Sequence, residues 1–196
     1  MHAPLDETAL DTLFVKARTR YGWTDRPVDE ALIRRLYDLM KWGATSANTS
    51  PARFVWCVSE AAKKRLEPHL DSGNKAKMLE APATVIIGYD LDFPARMGEL
   101  FPHNPGAKDW WPDPVSRETA AFRNGTLQGA YLMLAARALG LDCGPMSGFS
   151  NAGVDADFFA GTNIKSNFIC SIGEGTDKNL FPRLPRLSFE DANTVL

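Results

Sequence analysis

Residues 116–139 constrain this fold more than any other stretch. They carry a long helical pattern that is apolar nearly all round from Ala130 to Ala135. A helix without a polar face belongs at the centre of a domain. Gly140 followed by Leu141 supplies the stop, because glycine accepts the left-handed conformation that ends helices. Gly125 and Gly129 each cost about 1 kcal/mol of helix propensity relative to alanine. Their spacing implies that another backbone packs close. Arg123, Asn124, Gln128 and Arg137 interrupt the segment and argue against a membrane span.

Other elements surround this helix. Leu10, Leu13, Phe14 and Ala17 mark one face of a helix over about residues 6–17. A second helix follows Pro27, with Asp29 and Glu30 in its first turn and Leu32, Ile33, Leu36 and Met40 as its stripe. Residues 54–58 read as a strand buried on both faces, and 83–89 and 167–172 as two more. Ser59 caps a third helix that Pro68 ends or kinks. Helical turns are expected at 74–80 and a short helix at 154–159. Residues 92–114 hold Phe93, Phe101, His103, Trp110, Trp111 and five prolines without a period, which predicts a mobile or irregular excursion. Prolines keep the tail, 180–187, extended, and it has little core of its own. Three or four strands among five or six helices give an α+β layered domain.

The bulk numbers bound the function. The chain has 196 residues, 44% of them hydrophobic, enough for one globular domain with a full core. A net charge of −2 and a pI near 5.9 favour neither a nucleic-acid nor a membrane-surface partner. The N-terminus lacks the apolar region of a signal peptide. Cys57, Cys143 and Cys170 are widely spaced, which predicts buried, reduced thiols and a cytoplasmic location.

Several site classes find no support. Gly173-Glu-Gly175 lacks a third glycine and a following helix, so a Rossmann dinucleotide site is not expected. No Walker loop, no Gly-x-Ser-x-Gly elbow and no metal-spaced His/Cys set is visible; His2, His69 and His103 lie in terminal or loop contexts. What remains is polar. Residues 42–54 run from a helix to a strand through Thr45, Ser46, Asn48, Thr49 and Ser50, short donors and acceptors suited to a flat polar ligand. Arg18, Thr19 and Arg20 leave the first helix, and Arg183 and Arg186 flank a proline. Arginine clusters with a hydroxyl suit a phosphate, which guanidinium binds bidentately. Taken singly, each reads first as a solvated surface cluster, because most exposed charges do nothing specific. Asn74 and Lys77 bracket a turn before the second strand. The Gly-flanked loop Pro145-Met146-Ser147-Gly148 offers backbone N–H groups at close range, or is a simple connector.

Five blocks carry a resemblance. They are Met40-Lys-Trp-Gly-Ala-Thr-Ser-Ala-Asn-Thr-Ser-Pro-Ala-Arg53, Ala121-Phe-Arg-Asn124, Ala138-Leu-Gly-Leu-Asp142, Gly144-Pro-Met-Ser-Gly-Phe149 and Arg183-Leu-Pro-Arg-Leu-Ser-Phe-Glu190. Over its whole length the chain resembles the FMN-dependent nitroreductase superfamily, and within it the malonic semialdehyde reductase branch (RutE type) of bacterial pyrimidine degradation. The resemblance implies a nitroreductase-like fold with a central mixed β-sheet flanked by helices, in an intertwined homodimer. It implies one domain over 1–196, a variable flap at 92–114, and an arm from about 176–196 that packs on the partner subunit. FMN would be bound, with NADH or NADPH as co-substrate.

Carried over by motif, Arg18, Thr19 and Arg20 hold the FMN phosphate, with Arg183 and Arg186 near it. Thr45, Ser46 and Asn48 reach the flavin from the neighbouring subunit. Asn74 and Lys77 meet the pyrimidine side of the ring, where Lys77 would stabilise the charge that reduced FMN gathers. Pro145, Met146, Ser147 and Gly148 lie over the ring. Relatives often carry glutamine where Ser50 stands and glutamate where Ser147 stands. The implied reaction is ping-pong hydride transfer through flavin N5 from NAD(P)H to malonic semialdehyde, giving 3-hydroxypropionate, with no catalytic side chain. Arg53, Arg123, Trp110 and Trp111 are the substrate-side candidates. The alternatives are a broad nitroaromatic or quinone reductase and a flavin-binding protein without turnover.

Overall fold

The computed structural model describes residues 3–196, so His2 lies outside the described residues. Local rules start most elements. Asp6 caps α1 (Glu7–Leu10), which continues as a π-type turn over Asp11–Val15. After β1 (Gly22–Trp23), Asp29 accepts from Leu32 N and starts α2 (Glu30–Met40). β2 (Ala52–Cys57) leads to Ser59, whose hydroxyl accepts from Ala62 N and starts α3 (Glu60–Leu66). Pro68 turns the chain into a 3-10 turn, Glu67–His69. Then come α4 (Ser72–Glu80), β3 (Ala83–Asp90) and α5 (Met97–Leu100). Asp113 caps α6 (Pro114–Ala138), with proline in its first turn where no N–H is needed. β4 (Asp142–Met146), α7 (Asn151–Phe158), β5 (Ile164–Gly173), β6 (Gly175–Thr176) and α8 (Phe189–Ala192) complete the order.

The main sheet has the order β2-β3-β5-β4, and every neighbouring pair is antiparallel. Among the described residues, the mixed character expected for the sheet is confined to one parallel bridge, Thr19 with Cys143, on the outer edge of β4. β3 is buried along nearly its whole length because alternate residues face two layers. Val85 and Ile87 pack with Leu36 and Met40 of α2 and Leu132 and Ala136 of α6. Ile86 faces Leu66 of α3, Met78 of α4 and Val154 of α7. The expected close approach to α6 is present at Gly125, where a Cβ would lie 3.0 Å from Tyr89 Cβ and 3.8 Å from Gly88 O. At Gly129 the neighbour is a ring: a Cβ would lie 2.5 Å from Phe168 Cζ. Gly140 adopts φ +75°, as the helix stop requires.

Three expectations change. β2 is an edge strand, so Arg53 to Trp56 are half-buried rather than enclosed on both faces. Residues 142–146 are a strand rather than a loop; Pro145 fits there because β4 is the other edge. Residues 92–114 are irregular but packed. Phe93, Met97 and Ala107 are fully buried against Tyr89, Ala120 and Ala121, and the Phe93 and Trp111 rings meet edge-on at 4.9 Å. Short helical turns, two of them opened by proline, let aromatic side chains without a period form a cluster. The tail is extended as expected, with Phe181, Leu184, Leu187 and Phe189 exposed.

All three thiols are buried. Burial pushes Cys57 up to about 11, and the hydrogen bond with Cys143, followed by burial, raises Cys170. Since the thiolate is the reactive form, the native protein will show essentially no thiol reacting with a disulfide reagent at neutral pH. All three will titrate after denaturation. Rapid labelling of the native chain would contradict the packing described.

Candidate functional site

One cluster forms along the outer edge of β4. The bridge between Thr19 and Cys143 sets residues 18–20 beside that strand. The Arg18 guanidinium donates to Phe181 O, and Arg183 Nη2 donates to Ala17 O at 3.2 Å. Those two contacts put both arginines at one place. The Tyr21 ring meets Phe181 edge-on at 5.6 Å and has Lys77 Nζ 4.9 Å from its centroid. Lys77 lies in the last turn of α4, and its carbonyl accepts from Trp23 Nε1 at 3.1 Å. Burial alone holds Lys77 below the 10.5 of free lysine; no carboxylate offsets it. Asn74 Nδ2 donates to Gly148 O at 2.8 Å, and Asp71 N donates to the same oxygen at 3.1 Å. A Cβ on Gly148 would lie 2.7 Å from both Asn74 Nδ2 and Asp71 Oδ2, so a side chain there would push both groups aside. Pro145 and Ser147 are exposed beside it, and Met146 is buried.

A second group lies by the start of β2, at the opposite edge of the sheet. Three strand spacings, roughly 14 Å, separate the two edges. Ala47, Asn48 and Ser50 all have positive φ, at 47°, 55° and 42°. Such residues cost on the order of 1–3 kcal/mol each and persist only where the surroundings fix them. The fixing groups come from α6. Asn124, 1% exposed, accepts from Ser46 N at 2.8 Å. Gln128, 5% exposed, accepts from Ala52 N at 2.8 Å, and Tyr131 donates to Ala44 O at 2.9 Å. Thr45 Oγ1 accepts from Ser50 N, and Asn48 Nδ2 donates to Leu100 O at 2.9 Å, joining the loop to the 92–114 segment.

This arrangement of donors and glycine approaches extends over most of the chain, and so does its family match: residues 15–173 match the nitroreductase family. The chain belongs to the nitroreductase family. A protein of a Caulobacter species, named "Putative NADH dehydrogenase/NAD(P)H nitroreductase", is 61% identical over 194 residues, covering 99% of this chain and all of that one. A Ralstonia pickettii protein with the same name, designated HadB, is 56% identical over 190 residues, covering 95% and 97%. Among solved structures, a Bacillus subtilis protein named "putative nitroreductase ydfN" has a TM-score of 0.88 at 15% identity, covering 97% of this chain and 100% of that one. An Exiguobacterium sibiricum protein named "a putative nitroreductase in complex with FMN" has a TM-score of 0.87 at 17% identity, covering 100% and 99%. At those identities the structures establish the nitroreductase fold.

Within this nitroreductase-fold chain the expected residues divide. Arg18, Thr19, Asn74, Lys77, Gly148 and Arg183 come together at β4. Arg20 is also there, but its guanidinium is engaged by Asp142 and Asp177. Among the described residues, Arg186 donates only to Leu184 O and Pro185 O, on its own segment. Thr45, Ser46 and Asn48 stand at the far edge. Arg53 pairs with Asp90 at 2.7 Å and lines a groove of about 850 Å³ with Tyr37, Phe54 and Trp56. Arg123 is exposed on α6 beside a groove of about 720 Å³ lined by Tyr89, Phe122 and Leu127. Trp110 is half exposed, and Trp111 packs on Phe93.

Sequence reasoning missed Asn124, Gln128 and Tyr131 as loop supports. The signal was present, since amides four residues apart on an otherwise apolar helix must find partners in the core. Gln128→Leu will leave Ala52 N–H buried without an acceptor and cost about 1–3 kcal/mol in denaturant unfolding. Asn124→Ala removes the acceptor of Ser46 N and will cost less, because Ser46 is exposed and water can replace the lost partner. An unchanged unfolding midpoint in both variants would remove α6 as the loop's support.

Proposed function

We propose that this protein is an FMN-dependent NAD(P)H oxidoreductase. The observation that carries the reading is Lys77: a half-buried ammonium without a carboxylate, beside the Asn74–Gly148 contact and at one end of a run that begins with Arg18 and Arg183. That donor set fits FMN. Paired guanidiniums and the Thr19 hydroxyl suit a phosphate. Gly148, whose missing side chain leaves room for Asn74 and Asp71, lets the Asn74 amide close on its carbonyl and hold its place at the site. The FMN complex of the Exiguobacterium protein supports the same assignment.

When bound, FMN supplies the hydride-accepting and hydride-donating centre for both half-reactions. The chain's own residues bind and orient. Arg18, Thr19 and Arg183 hold the phosphate, while Arg20 and Arg186 are engaged elsewhere. Asn74, fixed by Gly148 O, presents its remaining amide atoms to the ring edge. Lys77 supplies positive charge where a reduced ligand gathers negative charge, a form of fixed electrostatic stabilisation. The loop with Thr45, Ser46 and Asn48 serves the site of a second copy of the chain in a homodimer. Its distance from β4 and the exposed apolar side chains of the arm support that reading. The arm, about 176–196, packs on that second copy, and 92–114 is the flap. Three buried free thiols fit a cytoplasmic location.

For the second substrate we infer malonic semialdehyde, reduced to 3-hydroxypropionate. The support is the set of sequence blocks that resemble that branch. Asp90 already neutralises Arg53, so Arg123 is the candidate for the substrate carboxylate. The names of the relatives favour a second reading, a broad nitroaromatic or quinone reductase. A kcat/KM for malonic semialdehyde at least about tenfold above that for a nitroarene decides for the first, and the reverse ratio for the second. A yellow protein that NAD(P)H does not bleach would leave only a flavin carrier.

Lys77→Met will slow flavin reduction by NAD(P)H and make the flavin potential more negative, while Lys77→Arg will retain most of both. The folded pKa of Lys77 is depressed, so its charge is lost, as pH rises, before 10.5 is reached. Wild-type reduction will therefore fall on the alkaline side below that pH, and the fall will vanish in Lys77→Met. Arg123→Gln will raise KM for the carboxylated aldehyde and leave that for a nitroarene unaltered; equal effects on both would discard Arg123.

A further inference from the structure

Arg20 sits among the expected phosphate ligands but is built into something else. Its backbone N donates to Cys143 O at 3.0 Å, and a Cβ on Gly144 would lie 2.7 Å from Arg20 O. The side chain then runs beneath Gly175, where a Cβ would lie 2.3 Å from Arg20 Cγ. Nη1 donates to Thr176 O at 3.2 Å and to Asp177 Oδ1 at 2.5 Å. Nε lies 3.4 Å from Asp142 Oδ2 in an ion pair without hydrogen-bond geometry. Asp142 Oδ2 in turn accepts from Gly175 N at 3.1 Å. The Arg20 side chain is only 18% exposed.

The charges decide between two roles. One guanidinium stands between two carboxylates, so the cluster carries a net negative charge. A phosphate brought to Arg20 would face Asp142 and Asp177 as well, and like charges at that range repel. Arg20 is therefore spent on the chain itself. What it holds is the base of the arm. Beyond Asp177, Lys178 pairs with Glu80 of α4 at 2.9 Å, Phe181 O receives Arg18, and Arg183 reaches Ala17 O.

The geometry points to Arg20 as a positioning residue that fastens the base of the arm to the β4 edge. It thereby sets Phe181 and Arg183 against Arg18 and Tyr21, and it does not touch the phosphate. The consequence for ligand binding rests on the flavin reading above; the tether does not.

The test uses the full chain with R20Q, D177N and R18Q. Apoprotein is titrated with FMN and with riboflavin, which lacks the phosphate. R18Q will shrink the preference for FMN by about tenfold or more. R20Q will also lower the preference for FMN, by less than R18Q, because the released arm takes Arg183 away from Arg18. D177N will follow R20Q with a smaller effect, because the Asp177 side chain is 85% exposed. A second readout needs no flavin: trypsin cleavage after Lys178 and Arg183 will be faster in R20Q and D177N than in wild type. A D177N protein that binds FMN more tightly than wild type, as it would if the freed Arg20 met the phosphate, or unchanged cleavage in both variants, overturns the inference. Should R20Q not fold, D177N carries both readouts. If wild type binds neither flavin, the flavin reading fails and the cleavage rates still decide the tether.

Discussion

The approach of α6 to β3 is the constraint on which the rest depends. Gly125 removes the side chain that would hold the two apart, and the backbones come within van der Waals range of a Cβ. That closeness has two results. It seals the layer in which Val85 and Ile87 meet Leu132 and Ala136. It also brings Asn124 and Gln128 within hydrogen-bond reach of the chain entering β2. A polar residue inside a core is costly unless satisfied. Here the satisfaction of two amides and the shaping of a strained loop are the same set of bonds.

The site at β4 follows a different logic, one of charge allocation. The region holds more cations than a single ligand needs. Arg20 is committed to Asp142 and Asp177, and Arg53, at the far edge, to Asp90. Lys178 is committed to Glu80. Lys77 is left to burial alone, and that unmet positive charge separates a binding group from a structural one among residues of similar type.

Much of the fold was legible in the sequence because its signals are local. Asp29, Ser59 and the Gly140 stop announce their helices by cap chemistry, and 116–139 announces the central helix by its lack of a polar face. β2 was placed correctly in the chain but wrongly in the sheet, since apolar content does not say whether a strand ends a sheet. β4 was read as a loop because Gly144 and Pro145 suppress strand propensity, which an edge position tolerates. The packing of 92–114 was invisible for a related reason: aromatic residues joined by turns leave no period. In the candidate site, Arg18, Asn74, Lys77 and Gly148 were named by motif. The commitment of Arg20 was not, because Asp142 and Asp177 lie far from it along the chain.

The three positive-φ residues at 47, 48 and 50 say something about how this loop responds to disturbance. A relaxed loop drifts through many similar shapes. A loop held against its own preferences has a different landscape, because each broken bond releases strain and makes the next break easier. The amides of α6 therefore act on it as a catch rather than a spring. It is either gripped or let go, with little between, and its local opening is cooperative. Whatever ligand this edge receives meets one shape of loop rather than a distribution of them.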